Sequence, residues 1–288
     1  MVSFCALTAN AINSITAKPV DVFFKKGSVF TSEPYLLLSE EVKNDDIYIN
    51  LLNFLANGVN KPAELSSKLG IAHQNLSKYL SLLEFIGIVV KEFPVGVNPN
   101  RKSKTGVYRI LDNFIDFYFK ELKKLSSFST SGEAALKVYK DIDFIASHKF
   151  EDFSIEFILL LSKNGMLPFT VSKIGRWWGS NSEKSAGASE EEIDVVALNE
   201  ESNNILFAEC KWTNAPAGVE VYNNLKRKAR FVQWSDESRK ESYALFSKSG
   251  FTDKMKELAG KERVMLFDLE KIEKIIKEHC AFTRGENP

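Results

Sequence analysis

The stretch EEIDVVALNEESNNILFAECKW, residues 191–212, constrains this chain more than any other. Two runs of β-branched and apolar residues flank a polar turn, the pattern of buried strands joined as a hairpin. Inside those runs stand Asp194, Glu209 and Lys211. Charged groups in buried strands are costly unless they pair with one another or bind a metal. The chain must therefore build either a structural ion network or a site here. Strand side chains alternate faces. Phe207, Glu209 and Lys211 thus share one face, and Leu206, Ala208, Cys210 and Trp212 the other. Glu192 and Asp194 share a face of the first strand. Around the turn NEESNN, Asp194, Glu209 and Lys211 can converge on one edge.

The neighbouring sequence sets that hairpin in an α/β domain. A helical pattern over about 148–163 leads to VSKIGRWW and then to the two strands. Helix VEVYNNLKRKARFVQW, strand SYALFS, helix FTDKMKELAG, strand RVMLFD and helix LEKIEKIIKEH follow. That order predicts a mixed sheet covered by helices, over residues 136–288.

The first half differs. NDDIYINLLNFLANG has acids at its start, apolar residues at helical spacing and Gly58 as its stop. A second short helix opens near Pro62 and closes at Gly70. A third places Leu76, Leu80 and Leu83 on one face and closes at Gly87. Strand IVVKEFPV, the loop GVNPNRKSKTG and strand VYRI then form a hairpin. Helix, helix, turn, helix, hairpin is the order of a winged helix-turn-helix, expected over 44–125. The aromatic-rich helix DNFIDFYFKELKKL leaves the wing, and SSFSTSGEAA reads as a polar linker near 126–135. Residues 1–43 read as a connecting segment.

Composition narrows the function classes. The 288 residues carry 38 basic and 38 acidic side chains, so no global field draws the chain to nucleic acid and any basic surface is local. Three cysteines, Cys5, Cys210 and Cys280, are too scattered for a disulfide framework or a Cys-based zinc site. No apolar run reaches the ~18–20 residues of a membrane span, and no basic stretch precedes the apolar N-terminal residues. A cytoplasmic protein that does not enter the membrane is expected. No G-x-x-x-x-G-K-[ST] occurs, so this chain carries no P-loop of its own.

Two carboxylates and an ammonium at one strand edge suit magnesium, a hard cation that keeps several waters and takes one or two carboxylates plus substrate phosphates. Such an ion makes water a better nucleophile and offsets charge on a phosphate, with a lysine beside it as a point charge. The spacing D-x14-E-x-K resembles the PD-(D/E)XK nuclease superfamily, whose core is a restriction-endonuclease-like α/β fold. The resemblance implies that Asp194 and Glu209 bind Mg2+, with Mn2+ as a substitute, and that Lys211 completes the E-x-K pair. It also implies an acid from the preceding helix, for which Glu151 is the better match and Glu156 the reserve. Glu192 stands where many members have proline. Over about residues 25–280 the combined motifs, among them SEPYLLLSEEV, YRILDNFIDFYF, KIGRWW and YALFSKSGF, look like the C-terminal half of a group of archaeal P-loop ATPases. That half joins a winged helix to a PD-(D/E)XK-like domain. In that group an ATPase module precedes this half, so the resemblance implies a separated half, a truncated product or an excised fragment, with a separate P-loop ATPase subunit as the partner class in the first case.

Other residues carry both a functional and a structural reading. His73, Gln74, Asn75, Ser77 and Lys78 open the expected recognition helix, where Gln and Asn suit adenine edges. Arg101, Lys102, Lys104 and Arg109 of the wing suit phosphates. The alternative is a winged helix used for protein docking. Arg176 of GRWW can face a phosphate and its tryptophans a base, although adjacent tryptophans more often pack a core. Lys226 and Arg227 of LKRKAR can track phosphates or form a solvated helix face. The three histidines, 73, 148 and 279, share no metal spacing. The expected function is DNA binding with Mg-dependent phosphodiester hydrolysis. Its rival is a non-catalytic DNA-binding or interaction half of an ATPase system.

Overall fold

The structure, a computed structural model, describes residues 45–96, 106–123, 131–180, 190–235 and 238–280, without the side chains of 45, 131–145 and 280. Residues 1–43, the wing residues Arg101, Lys102 and Lys104, and most of the loop after β3 lie outside the described residues. The chain divides into two compact units. One holds 45–92 and the chain from 106 to Ile142. The other holds Phe93–Gly96 and the chain from Asp143 onward.

In the first unit, α1 (Asp45–Ala56), α2 (Pro62–Leu69) and α3 (His73–Phe85) precede strands β1 (Val89–Glu92) and β2 (Val107–Ile110). Pro62 at the start of α2 supplies a fixed φ where no amide partner is needed. Gly70 ends the helix at φ 65°, a left-handed conformation that costs glycine little. The two strands pair antiparallel, Val89 opposite Ile110 and Glu92 opposite Val107. Leu51, Leu52, Leu65, Leu76, Leu80 and Leu83 form the core, each such burial stabilising by about 1.5–3 kcal/mol. Asp112 caps α4 (Asn113–Phe117), accepting from the amides of Phe114 and Ile115 at 2.9 and 2.8 Å. The chain then widens into a π-helical turn, Tyr118–Leu122. Its extra residue lets Tyr118, Phe119 and Leu122 all face the core.

The linker expected near 126–135 gives way at Ser131 to α5, Ser131–Lys163. This helix begins well before residue 148, where hydrophobic periodicity first marks it. The Ser/Gly/Ala composition of 131–135 reads as a loop, yet Ala and Glu there are helix formers.

The second unit holds a five-stranded sheet in sequence order: β3 (Lys173–Ser180), β4 (Glu190–Asn199), β5 (Asn204–Lys211), β6 (Lys240–Ser247) and β7 (Met265–Asp268). The first three strands are antiparallel, and the last three are parallel. Parallel neighbours need crossover connections. Helices α6 (Val219–Ala229) and α7 (Asp253–Glu262) supply them, and α8 (Leu269–Cys280) follows β7. This is the mixed, helix-covered sheet expected from the order of elements. Ile205, Phe207 and Leu245 pack toward α6 and α7, while Leu206, Ala208, Ala244 and Phe246 pack toward α5 and α8. β5 is central, and Ile205 through Glu209 are all buried. No helix among the described residues is long and apolar enough to cross a membrane.

Candidate cation and nucleic-acid sites

The β4–β5 register runs from Asn199 opposite Asn204 to Val195 opposite Ala208. One step further it brings Asp194 beside Glu209. There the ladder is replaced by a side chain: the Cys210 amide donates to Asp194 Oδ2 at 2.7 Å. A register shift in the β3–β4 pairing between Gly175 and Trp177 marks a bulge at this level. It re-aims β4 locally, as bulges beside sites commonly do. Asp194 is half-buried, and Glu209 is 3% exposed.

Electrostatics at the pair follow from that enclosure. Burial, then the Glu209 and Glu151 charges, push the Asp194 carboxyl up to about 7 against the Cys210 amide and Lys211. Burial opposes the charge of Lys211, but the adjacent Glu209 carboxylate outweighs it and raises the pKa. Glu192 is raised by burial and then by Glu151. Burial also lifts the Cys210 thiol well above its ordinary value, which disfavours thiolate chemistry.

Glu209 is gripped from two elements. Lys211 Nζ donates to its Oε1 at 2.8 Å. Lys228, from the last turn of α6, donates to Oε1 at 3.0 Å and Oε2 at 2.9 Å. Lys228 is the residue that sequence reading missed. It stands next to Lys226 and Arg227 in LKRKAR, but nothing in that run tells which cation turns inward. The burial of Leu225 and Ala229 supplies the signal, since Lys228 lies beside them on α6.

Glu151, the proposed third acid, sits on α5. Arg176 Nε donates to its Oε2 at 3.3 Å, and His148 Nδ1 lies 3.7 Å from its Oε1. Arg176 also donates to Asp152 at 2.6 Å. Its guanidinium is thus held by α5 carboxylates rather than presented to a phosphate. Trp177 and Trp178 are buried, so their rings are packing and not platforms for bases. Arg227 makes a two-pronged bond to Glu191 at 2.7 and 2.9 Å, and Lys226 donates to Glu262 at 3.0 Å. The basic run of α6 is therefore largely spent on the protein's own acids.

The donor set fits a hard dication of modest ligand demand. Among the described residues no group of three or more His, Cys, Asp and Glu gathers closely enough to hold one ion. An ion here would rest on Asp194 and Glu209 and keep several waters, the way magnesium binds.

In the first unit, His73, Gln74, Asn75, Ser77 and Lys78 are all exposed along α3, opposite the buried Leu76, Leu80 and Leu83. Ser77 Oγ donates to the His73 carbonyl at 3.1 Å. Arg109 on β2 donates to Glu92 on β1 at 2.7 and 2.9 Å.

Residues 114–229 match the model of the family DUF234, archaeal and bacterial proteins of unknown function. That stretch contains Asp194, Glu209, Lys211 and Lys228. An uncharacterized protein of Methanocaldococcus jannaschii is 31% identical over 239 residues, 81% of this chain and 50% of the relative. The chain thus spans about half the length of the curated relative it matches. Among solved structures, a protein from Vibrio cholerae aligns over 93% of this chain and 57% of its own, at 12% identity and a TM-score of 0.33. A MarR family transcription regulator aligns over 52% of this chain and 96% of its own, at 16% identity and a TM-score of 0.24.

Proposed function

We propose that this chain is a cytoplasmic, DNA-associated protein whose second unit hydrolyses phosphodiester bonds with magnesium, on a PD-(D/E)XK-like nuclease fold. One observation carries the reading: Asp194 and Glu209 stand on neighbouring antiparallel strands inside the sheet, close enough to act on each other's charge, with Lys211 beside Glu209. In this reading Asp194 and Glu209 hold the ion, and Glu151 is the third acid nearby. Bound magnesium, or manganese in its place, lowers the pKa of water and offsets charge on the phosphate. The Cys210 amide holds one oxygen of Asp194, and its other oxygen would be the one to meet the ion. Lys211, at the strand end and half-buried, orients the attacking water or offsets phosphate charge. The exposed polar face of α3 reads base edges, and Lys78 meets a phosphate. Arg109, and outside the described residues Arg101, Lys102 and Lys104, belong to the wing contact. A separate P-loop ATPase subunit is the partner class for this half.

The test is cleavage of duplex, single-stranded and branched DNA with magnesium or manganese, by wild type, Asp194→Ala and Lys211→Ala. Metal-dependent cutting lost in both variants supports the reading. A folded wild type that binds DNA and cuts none of the three overturns it. A second reading has its own observation: both Glu209 oxygens are occupied by lysines, as in a structural ion network. On that reading the chain is a DNA-binding or interaction module that does not cut.

A further inference from the structure

We infer that Lys228 is a built-in counter-ion that competes with a divalent cation for Glu209, so that cation and nucleic acid bind this site cooperatively. The inference rests on the proposed cation site at Asp194 and Glu209, and it concerns how that site is governed.

Three features lead to it. Glu209 lies on the central strand with its side chain 4% exposed, so it cannot turn out to solvent to escape its partners. Lys228 bonds both of its oxygens and is itself 12% exposed, whereas Lys211 is 36% exposed and bonds one oxygen. A dication bound to Glu209 must take an oxygen that Lys228 holds. The backbone that carries Lys228 is pinned on both sides. Arg227 clasps Glu191 on β4, and Arg239 donates to the carbonyls of Ala229, at the helix end, and of Val232 just beyond it. The helix therefore stays and the ammonium alone moves.

Charge decides where it moves. The two carboxylates Asp194 and Glu209 face the two ammoniums Lys211 and Lys228, and Glu151, whose charge also reaches Asp194, is itself paired with Arg176, so the set is neutral when all are ionised. A dication leaves that set with two surplus positive charges in a poorly solvated place. Displacing Lys228 toward an incoming phosphodiester removes the repulsion and gives the ammonium a new anion. Cation binding alone is weak, nucleic acid strengthens it, and the reverse holds by linkage. The internal lysine thus keeps the site closed to stray cation until a phosphate arrives.

The experiment is Mn2+ binding to the full chain, followed by electron paramagnetic resonance, for wild type, Lys228→Gln and Asp194→Asn. Circular dichroism confirms that each is folded. Lys228→Gln keeps a hydrogen-bond donor and removes the charge. It should bind Mn2+ at least tenfold more tightly than wild type. A short phosphorothioate duplex, which resists cleavage, should tighten Mn2+ binding to wild type and barely change that of Lys228→Gln. If Lys228→Gln binds Mn2+ no better than wild type, while Asp194→Asn abolishes binding, the competition is overturned and the cation site stands. If neither wild type nor Lys228→Gln binds Mn2+, the cation site fails and the competition fails with it. Should Lys228→Gln not fold, wild type supplies the answer. Acetylation of Lys228 by N-hydroxysuccinimidyl acetate, read by mass spectrometry, should rise several-fold on saturation with Mn2+ alone, which takes Glu209 from the ammonium, and fall again when the duplex is added. Unchanged labelling under saturation overturns the proposal.

Discussion

Asp194 is where the energetics of this chain concentrate. Its carboxyl is lifted from 3.8 to about 7 by burial and by the Glu209 and Glu151 charges. The folded protein therefore holds this proton more tightly than the unfolded chain. Its stabilising effect is complete below about pH 4 and is lost as pH rises through 7. In cation-free buffer, urea unfolding at pH 5 and pH 8 should show a loss of about 2–4 kcal/mol with rising pH. Asp194→Asn should flatten that slope and be the more stable protein at pH 8. Glu209 is held by cations instead. It is the shared anion of two lysines, so Glu209→Ala should cost about 3–5 kcal/mol in the same assay, because Lys228 is left buried and unpaired. The alternation of ILFAECKW placed Glu209 and Lys211 on one face, and both lie on the α6 side of the sheet. The second lysine was not singled out, because LKRKAR offers several cations and only the burial of Leu225 and Ala229 places Lys228 toward β5.

At the scale of elements, glycine stops, helical spacing and strand alternation carried most of the information. Gly58, Gly70 and Gly87 all take positive φ just past the helices they end. The start of α5 escaped, since its first turns read like a loop. Arg176 and Arg227 escaped as well. Each belongs to a basic or aromatic run that suggests a phosphate, yet each is held by acids on a neighbouring element. The Arg227–Glu191 clasp ties α6 to β4. Arg227→Met should destabilise by about 1–2 kcal/mol by urea unfolding, less than a fully enclosed pair because the arginine side chain is 39% exposed. On α3 the five polar residues share the solvent face. Lys78→Ala should weaken binding to all duplexes alike and reduce the slope of log affinity against log salt by about 1. Gln74→Ala and Asn75→Ala should instead cost about 1–3 kcal/mol on a preferred sequence and little elsewhere. Fluorescence anisotropy across a salt series separates the two behaviours.

On the proposed function, the whole chain carries a local DNA-docking face and, separately, a site that is electrically balanced until a ligand arrives. The composition is neutral, 38 basic against 38 acidic residues, so the proposed attraction to DNA has to come from a few placed cations, not from the chain as a whole. The order of elements was legible because each is punctuated locally. The state of the site was not, because it depends on which of several nearby cations meets Glu209. The most direct test measures cutting and binding on one labelled duplex, with Mg2+ or Mn2+, for wild type and Lys211→Ala. The account predicts that Lys211→Ala lowers the cleavage rate at least a hundredfold while Kd changes less than threefold. Equal cleavage by both proteins, or binding without cutting by wild type, would contradict it.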